Sequence, residues 1–170
     1  MARVVGSAGR GLGRSGEEGR SVRMGNREHP KEKPGVRPTE KIRAFEHQTF
    51  SVGPLASNCS LLLCRETGTA AIVDPGDDSH RILQQLPDCV TSVSHILLTH
   101  AHLDHIMGLR GLIEPLRARG FPAKICLHAE DHPLYQGLEQ QGAMFGIETS
   151  SPPPIDHFIL DDEEIPVGQL

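Results

Sequence analysis

ILLTHAHLDH, residues 96–105, decides how the rest of the chain is read. Ile96, Leu97 and Leu98 read as the end of a buried strand, and the next seven residues hold three histidines and an aspartate. In an extended backbone, side chains two apart point the same way. His100 and His102 therefore project to one side, with alpha carbons about 6.6 Å apart at a rise of ~3.3 Å per residue. Two imidazoles placed so can reach one ion at a Zn–N distance of ~2.0–2.1 Å. Asp104 and His105 follow where strand turns into helix, and they can aim at a second ion beside the first. A rigid strand end holds ligands while the open loop beyond it admits water and substrate. A lone histidine is more often a packed or surface residue than a ligand. Three histidines and a carboxylate spaced H-x-H-x-D-H after an apolar strand have no comparable packing explanation.

Working outward, the motif sits in an alternating α/β pattern. Its own strand is expected over 93–99. A helix is expected over 104–119, because Ile106, Leu109, Leu112, Ile113 and Leu116 recur at helical spacing. Pro115 should kink that helix, and Gly120 with Pro122 should stop it. Upstream, alternation predicts a strand near 45–50, ended by Gly53-Pro54. Strands over 58–65 and 69–73 should form a hairpin around Thr67-Gly68. Asp74-Pro75-Gly76 stops the third strand. Ser79 is placed to N-cap a helix running to Leu86. Downstream, a strand over 123–127 and a short helix over 130–135 are expected. Residues 137–154, rich in Gly, Ser and Pro, read as a loop. A last strand over 158–160 precedes the acidic turn 161–164.

Residues 1–40 read differently. They hold eight glycines and seven arginines with almost no apolar cluster, too little to offset the entropy of ordering. A disordered extension is expected there, ahead of a domain over 41–170. Glu17-Glu18 and the glycines argue against a transit peptide. A nucleic-acid-binding tail lacks interleaved aromatics. The chain's net charge of −5 is uneven: +4 over 1–40 and −9 over the remaining 130 residues. The acidic part argues against a general nucleic-acid surface. No apolar run approaches the ~20 residues that cross a membrane, and the N-terminus has no apolar signal core. A cytoplasmic location follows as an expectation, with Cys59, Cys64, Cys89 and Cys126 as reduced thiols.

THAHLDH, with the strand ending Asp74-Pro75-Gly76, resembles the metallo-β-lactamase-fold hydrolases. GPLASNCSLLL (53–63) and QGLEQQGAMFGI (136–147) make it most similar to glyoxalase II, the hydroxyacylglutathione hydrolase, and its short relatives. The resemblance covers residues from about 42 to 170. It implies an αββα sandwich with a dinuclear metal site on one edge. His100 and His102 would bind the first metal, and Asp104 and His105 the second. Asp74 would orient a ligand or its turn. The cofactors implied are two divalent ions, zinc first, with iron and manganese as alternatives. They would share a water and lower its pKa, for attack on an acyl thioester. Asp104 would also steer the hydroxide as its catalytic part.

The family pattern adds a third histidine in a TPGH-like turn, a bridging aspartate and a last histidine. After His105 the chain offers His128, His132 and His157, none in such a turn. The expectation is therefore an N-terminal half-domain with impaired hydrolysis, partnered by a complementary C-terminal half and a small-molecule thioester, and by neither nucleic acid nor membrane. His128 and His132 mimic a zinc-protease pair, but Ala129 and Asp131 stand where such motifs need glutamate. His29, His47, His80 and His95 have no partner pattern, and Cys126 lacks a placed base. Alternative readings are a non-catalytic truncated product, an iron persulfide dioxygenase and a phosphodiesterase.

Overall fold

In the computed structural model of the chain, residues 44–170 are described. The expected disordered extension over 1–40 lies outside them. Alternating residues build β1 (Phe45–Val52), β2 (Ser57–Cys64) and β3 (Thr69–Val73). β1 pairs with β2 and β2 with β3, both antiparallel. From β3 onward the pairing is parallel, through β4 (Ser92–Leu97), β5 (Lys124–His128) and β6 (His157–Ile159). A parallel neighbour requires a crossover. Helix α1 (Ser79–Gln85) supplies the first, α2 (Leu103–Ile106) with α3 (Leu109–Ala118) the second, and α4 (His132–Gln136) with α5 (Leu138–Phe145) the third.

The six strands lie in the order β1-β2-β3-β4-β5-β6. Every crossover thus steps the same way, and right-handed crossovers that all step one way place their helices on one face. Burial follows that rule. Leu61, Leu63, Ile72, Ile96, Ile125 and Leu127 join Ile82, Ile106, Leu109, Leu112, Leu116 and Leu138 in one core cluster. Fully burying such a side chain stabilises by about 1.5–3 kcal/mol, so this single face holds the helical layer. On the opposite face Leu62, Val73 and Leu97 are only half-buried. The architecture is α/β, a mixed sheet under one helical layer. That is one of the two such pairs in an αββα sandwich. Among the described residues no helix is long and apolar enough to cross a membrane.

Three local expectations are corrected. The helix expected over 104–119 is two helices broken at Met107-Gly108. The Gly108 amide donates to the Gly76 carbonyl at 3.0 Å, and a Cβ on Gly108 would stand 2.5 Å from the Pro75 carbonyl oxygen. Close packing on the β3–α1 loop, not propensity, sets the break. Asp78, not Ser79, is the residue preceding α1, and its carboxylate accepts from the Gly53 amide at 2.9 Å instead of capping. The loop expected over 137–154 contains α5, ended by Gly146 at φ 68°. Pro115 lies inside α3, which continues past it to Ala118.

Candidate metal centre

The carboxyl ends of β3 and β4 lie side by side, and the residues just beyond them converge. In open α/β sheets such strand ends are where ligands bind. β4 ends at Leu97, so His100 and His102 stand in the connection to α2 and not in regular strand. Their rings still meet, with centroids 4.6 Å apart and edge to face. The His100 and His105 centroids are 4.1 Å apart. Asp104 Oδ2 lies 3.5 Å from His105 Nε2. His102 is exposed, whereas His100, Asp104 and His105 are half-buried, which leaves the cluster open on one side.

Asp74 forms the floor. It is 5% exposed and the one buried charged residue among those described. Its backbone has φ 49°, a left-handed conformation that aspartate tolerates better than most residues. The Asp74 carboxylate accepts from the Thr99 amide at 2.8 Å and from the Thr99 hydroxyl at 2.7 Å. Oδ2 also lies 3.1 Å from His105 Nδ1, within ion-pair range. The approach is off the hydrogen-bond axis, so that buried nitrogen has no hydrogen-bond partner. Thr99 Oγ1 is 2.9 Å from His100 Nδ1. One carboxylate thus reaches both histidines, directly or through one hydroxyl. Cys59 lies below, its thiol pushed up to about 12 by burial and then by the Asp74 charge.

The backbone of the cluster is fixed by residues with no obvious mark in the sequence. Ser57 Oγ donates to the Asp104 carbonyl at 2.5 Å. A Cβ on Gly76 would stand 1.8 Å from that same oxygen, so only glycine lets α2 settle there. Gln141 grips the loop from α5 through Ala101 and Leu103. Thr99 was inside the quoted motif without an assigned role. Ser57, Gly76 and Gln141 act over long sequence separations that no local pattern reveals.

Three imidazoles and two carboxylates suit a divalent ion in kind. The orphaned His105 Nδ1 is what a ring looks like when Asp74 faces one nitrogen and the other is offered outward. Among the described residues no three His, Cys, Asp or Glu side chains are already disposed around a single ion position. The rings meet by faces and edges, and His100 Nδ1 is engaged with Thr99. The donors fit a metal in chemistry and grouping.

His128, His132 and His157 have other partners. His128 Nε2 is 3.3 Å from Asp161 Oδ1, and His157 Nε2 is 2.7 Å from Glu163 Oε1. His132 packs edge-on against Phe158, 5.0 Å between centroids. Burial pushes the Cys126 thiol up to about 11, with the Asp156 charge adding to it, unlike an activated nucleophile.

Residues 52–170 match the model of the metallo-beta-lactamase superfamily. The chain is 31% identical over 118 residues to the probable metallo-hydrolase YqgX of Bacillus subtilis, covering 69% of this chain and 53% of that protein. It is 32% identical over 114 residues to the hydroxyacylglutathione hydrolase GloC of Haemophilus influenzae, covering 67% and 49%. The crystal structure of TTHA1623 in a di-iron-bound form superposes with a TM-score of 0.58 at 27% identity, covering 69% of this chain and 56% of that one. The chain spans about half the length of the curated relatives it matches.

Proposed function

The chain belongs to the metallo-beta-lactamase superfamily, and from that premise we propose that its strand-end cluster is the metal-binding part of a thioester hydrolase acting on hydroxyacylglutathione-like substrates. The observation that carries the reading is the gathering of the His100, His102 and His105 rings above the Asp74 carboxylate. His100 and His102 would hold one divalent ion, and Asp104 and His105 a second. When bound, such ions acidify water and polarise a carbonyl oxygen. The protein's own contribution is positioning and charge. Asp74 holds Thr99 and stands beside His105, which fixes the rings in rotation and keeps their electron pairs outward. Asp104, half-buried at the rim, would accept a hydrogen bond from the attacking water and orient it. The hydroxyacylglutathione hydrolase among the relatives supports the substrate class.

For the 170-residue polypeptide we infer weak turnover. A catalytic zinc centre generally uses three protein ligands and a water, whereas the pairs proposed above would give only two side chains to each ion. The test is direct. The purified chain is titrated with zinc, iron(II) and manganese, its bound metal is counted, and hydrolysis of a 2-hydroxyacyl glutathione thioester is followed. Uptake that falls by about one ion per chain in a His100→Ala/His102→Ala double variant, with slow metal-dependent hydrolysis by the parent, is expected. Hydrolysis indifferent to a chelator, or no uptake of any of the three metals, defeats the proposal.

A further inference from the structure

We propose that Gln141 is a positioning residue for the metal loop, setting His102 and the first turn of α2 from the distant helix α5; this rests on the metal-centre reading above. The Gln141 amide makes three hydrogen bonds. Its Oε1 accepts from the Leu103 backbone amide at 2.9 Å. Its Nε2 donates to the Ala101 carbonyl at 3.0 Å and to the Leu134 carbonyl, also at 3.0 Å. An amide N–H can only donate and a carbonyl can only accept, so these neighbours fix which end of the side chain is oxygen.

The geometry matters because of what lies between the two gripped groups. Ala101 and Leu103 flank His102, so one side chain holds the peptide units on either side of a ligand. His102 is the residue preceding α2, with φ −70° and ψ 148°, and makes no side-chain cap of its own. The Leu103 amide is one of the donors a helix start leaves unpaired, and Gln141 satisfies it from outside. Asp104 and His105 follow on the same helix, so the clamp sets the start of the segment that carries the second ligand pair.

Helix α5 is well placed to act as a fixed jaw. A Cβ on Gly142 would stand 2.5 Å from the Ile147 carbonyl oxygen and 2.6 Å from Thr149 Oγ1. Leu138 is 2% exposed and belongs to the main core. Leu134, on α4, is tied to the same amide. The stretch QGLEQQGAMFGI, set apart in the sequence without a chemical task, thereby acquires one. Its function is to deliver Gln141 to the loop.

The test is a cobalt(II) titration of the full chain, read by the visible absorption of the bound ion, beside amide hydrogen exchange at Leu103 and thermal melting. Gln141→Met keeps the length and loses all three hydrogen bonds. Gln141→Glu keeps the acceptor for Leu103 and serves if the methionine variant does not fold. Gln140→Ala, on the exposed side of the same helix, is the control. The role predicts that Gln141→Met weakens cobalt binding by about tenfold, shifts the absorption band and speeds exchange at Leu103, with Gln141→Glu intermediate and Gln140→Ala unchanged. Variants that merely melt earlier, with cobalt affinity within about twofold of the parent and an unchanged band, overturn it. A parent chain that takes up no cobalt overturns the metal-centre reading and this role together.

Discussion

At the scale of single residues, Asp74 is the most consequential position outside the histidine motif. Its carboxylate serves Thr99 twice and faces His105. Asp74→Asn keeps the shape and removes the charge. It should weaken metal uptake by about tenfold or more, as loss of a carboxylate partner to a histidine ligand does elsewhere. Asp74→Ala also removes both hydrogen bonds to Thr99, which should cost about 1–2 kcal/mol in urea unfolding. Thiol chemistry offers a separate check. Cys89 is exposed and free, whereas Cys59 and Cys126 are buried with thiols raised to about 12 and about 11. An aromatic disulfide reagent should label Cys89 promptly and leave those two untouched until the chain unfolds, because the thiolate is the reactive form. His100, His102, Asp104 and His105 were legible because their chemistry is written in adjacent letters. Thr99 lay among them and was missed, since a threonine at a strand end has many ordinary uses.

At the scale of elements, the strands were legible to within a residue or two, since a half-buried strand alternates visibly. Helix α5 was not. Gly142 and Gly146 gave its stretch the look of a loop, yet Gly142 is there because Ile147 and Thr149 come too close for a side chain. The break between α2 and α3 was equally hidden, because it depends on Gly76 and Pro75, some thirty residues away. That contact yields a prediction. Gly108→Ala would suit an isolated helix, but its methyl would press on the Pro75 carbonyl. It should lower stability by about 1–3 kcal/mol, measured by denaturant unfolding, even though alanine is the better helix former. A variant more stable than the parent would show that the two helices can merge without the loop. Gly76→Ala should be worse, since it displaces the Asp104 carbonyl and with it the start of the second ligand pair.

At the scale of the whole molecule, acid sensitivity follows from the sheet's open face. His95 on β4 is held below its ordinary value of 6.5, by burial first and then by Lys124 and His157. The unfolded chain therefore binds a proton there more readily than the folded one. Stability rises with pH wherever that holds, so this contribution is fully present above about 6.5 and is lost as pH falls toward the folded value. The melting temperature should drop between about pH 7.5 and 5.5, and His95→Asn should flatten part of the drop. Glu163 acts in the same sense at lower pH, its carboxyl held down by the Leu160 amide and His157. The class of the fold was legible from alternating strands and helices. Which face would be left half-covered was not, since it depends on each crossover stepping the same way. That one-way order also bears on how the chain acquires its structure. Each strand docks on the one synthesised just before it, while Ser57 and Asp74 wait for partners that come later in the chain. Pairing can advance from the amino end with the growing polypeptide, but each parallel pairing waits for a whole helical crossover to close, and closures of that length slow folding.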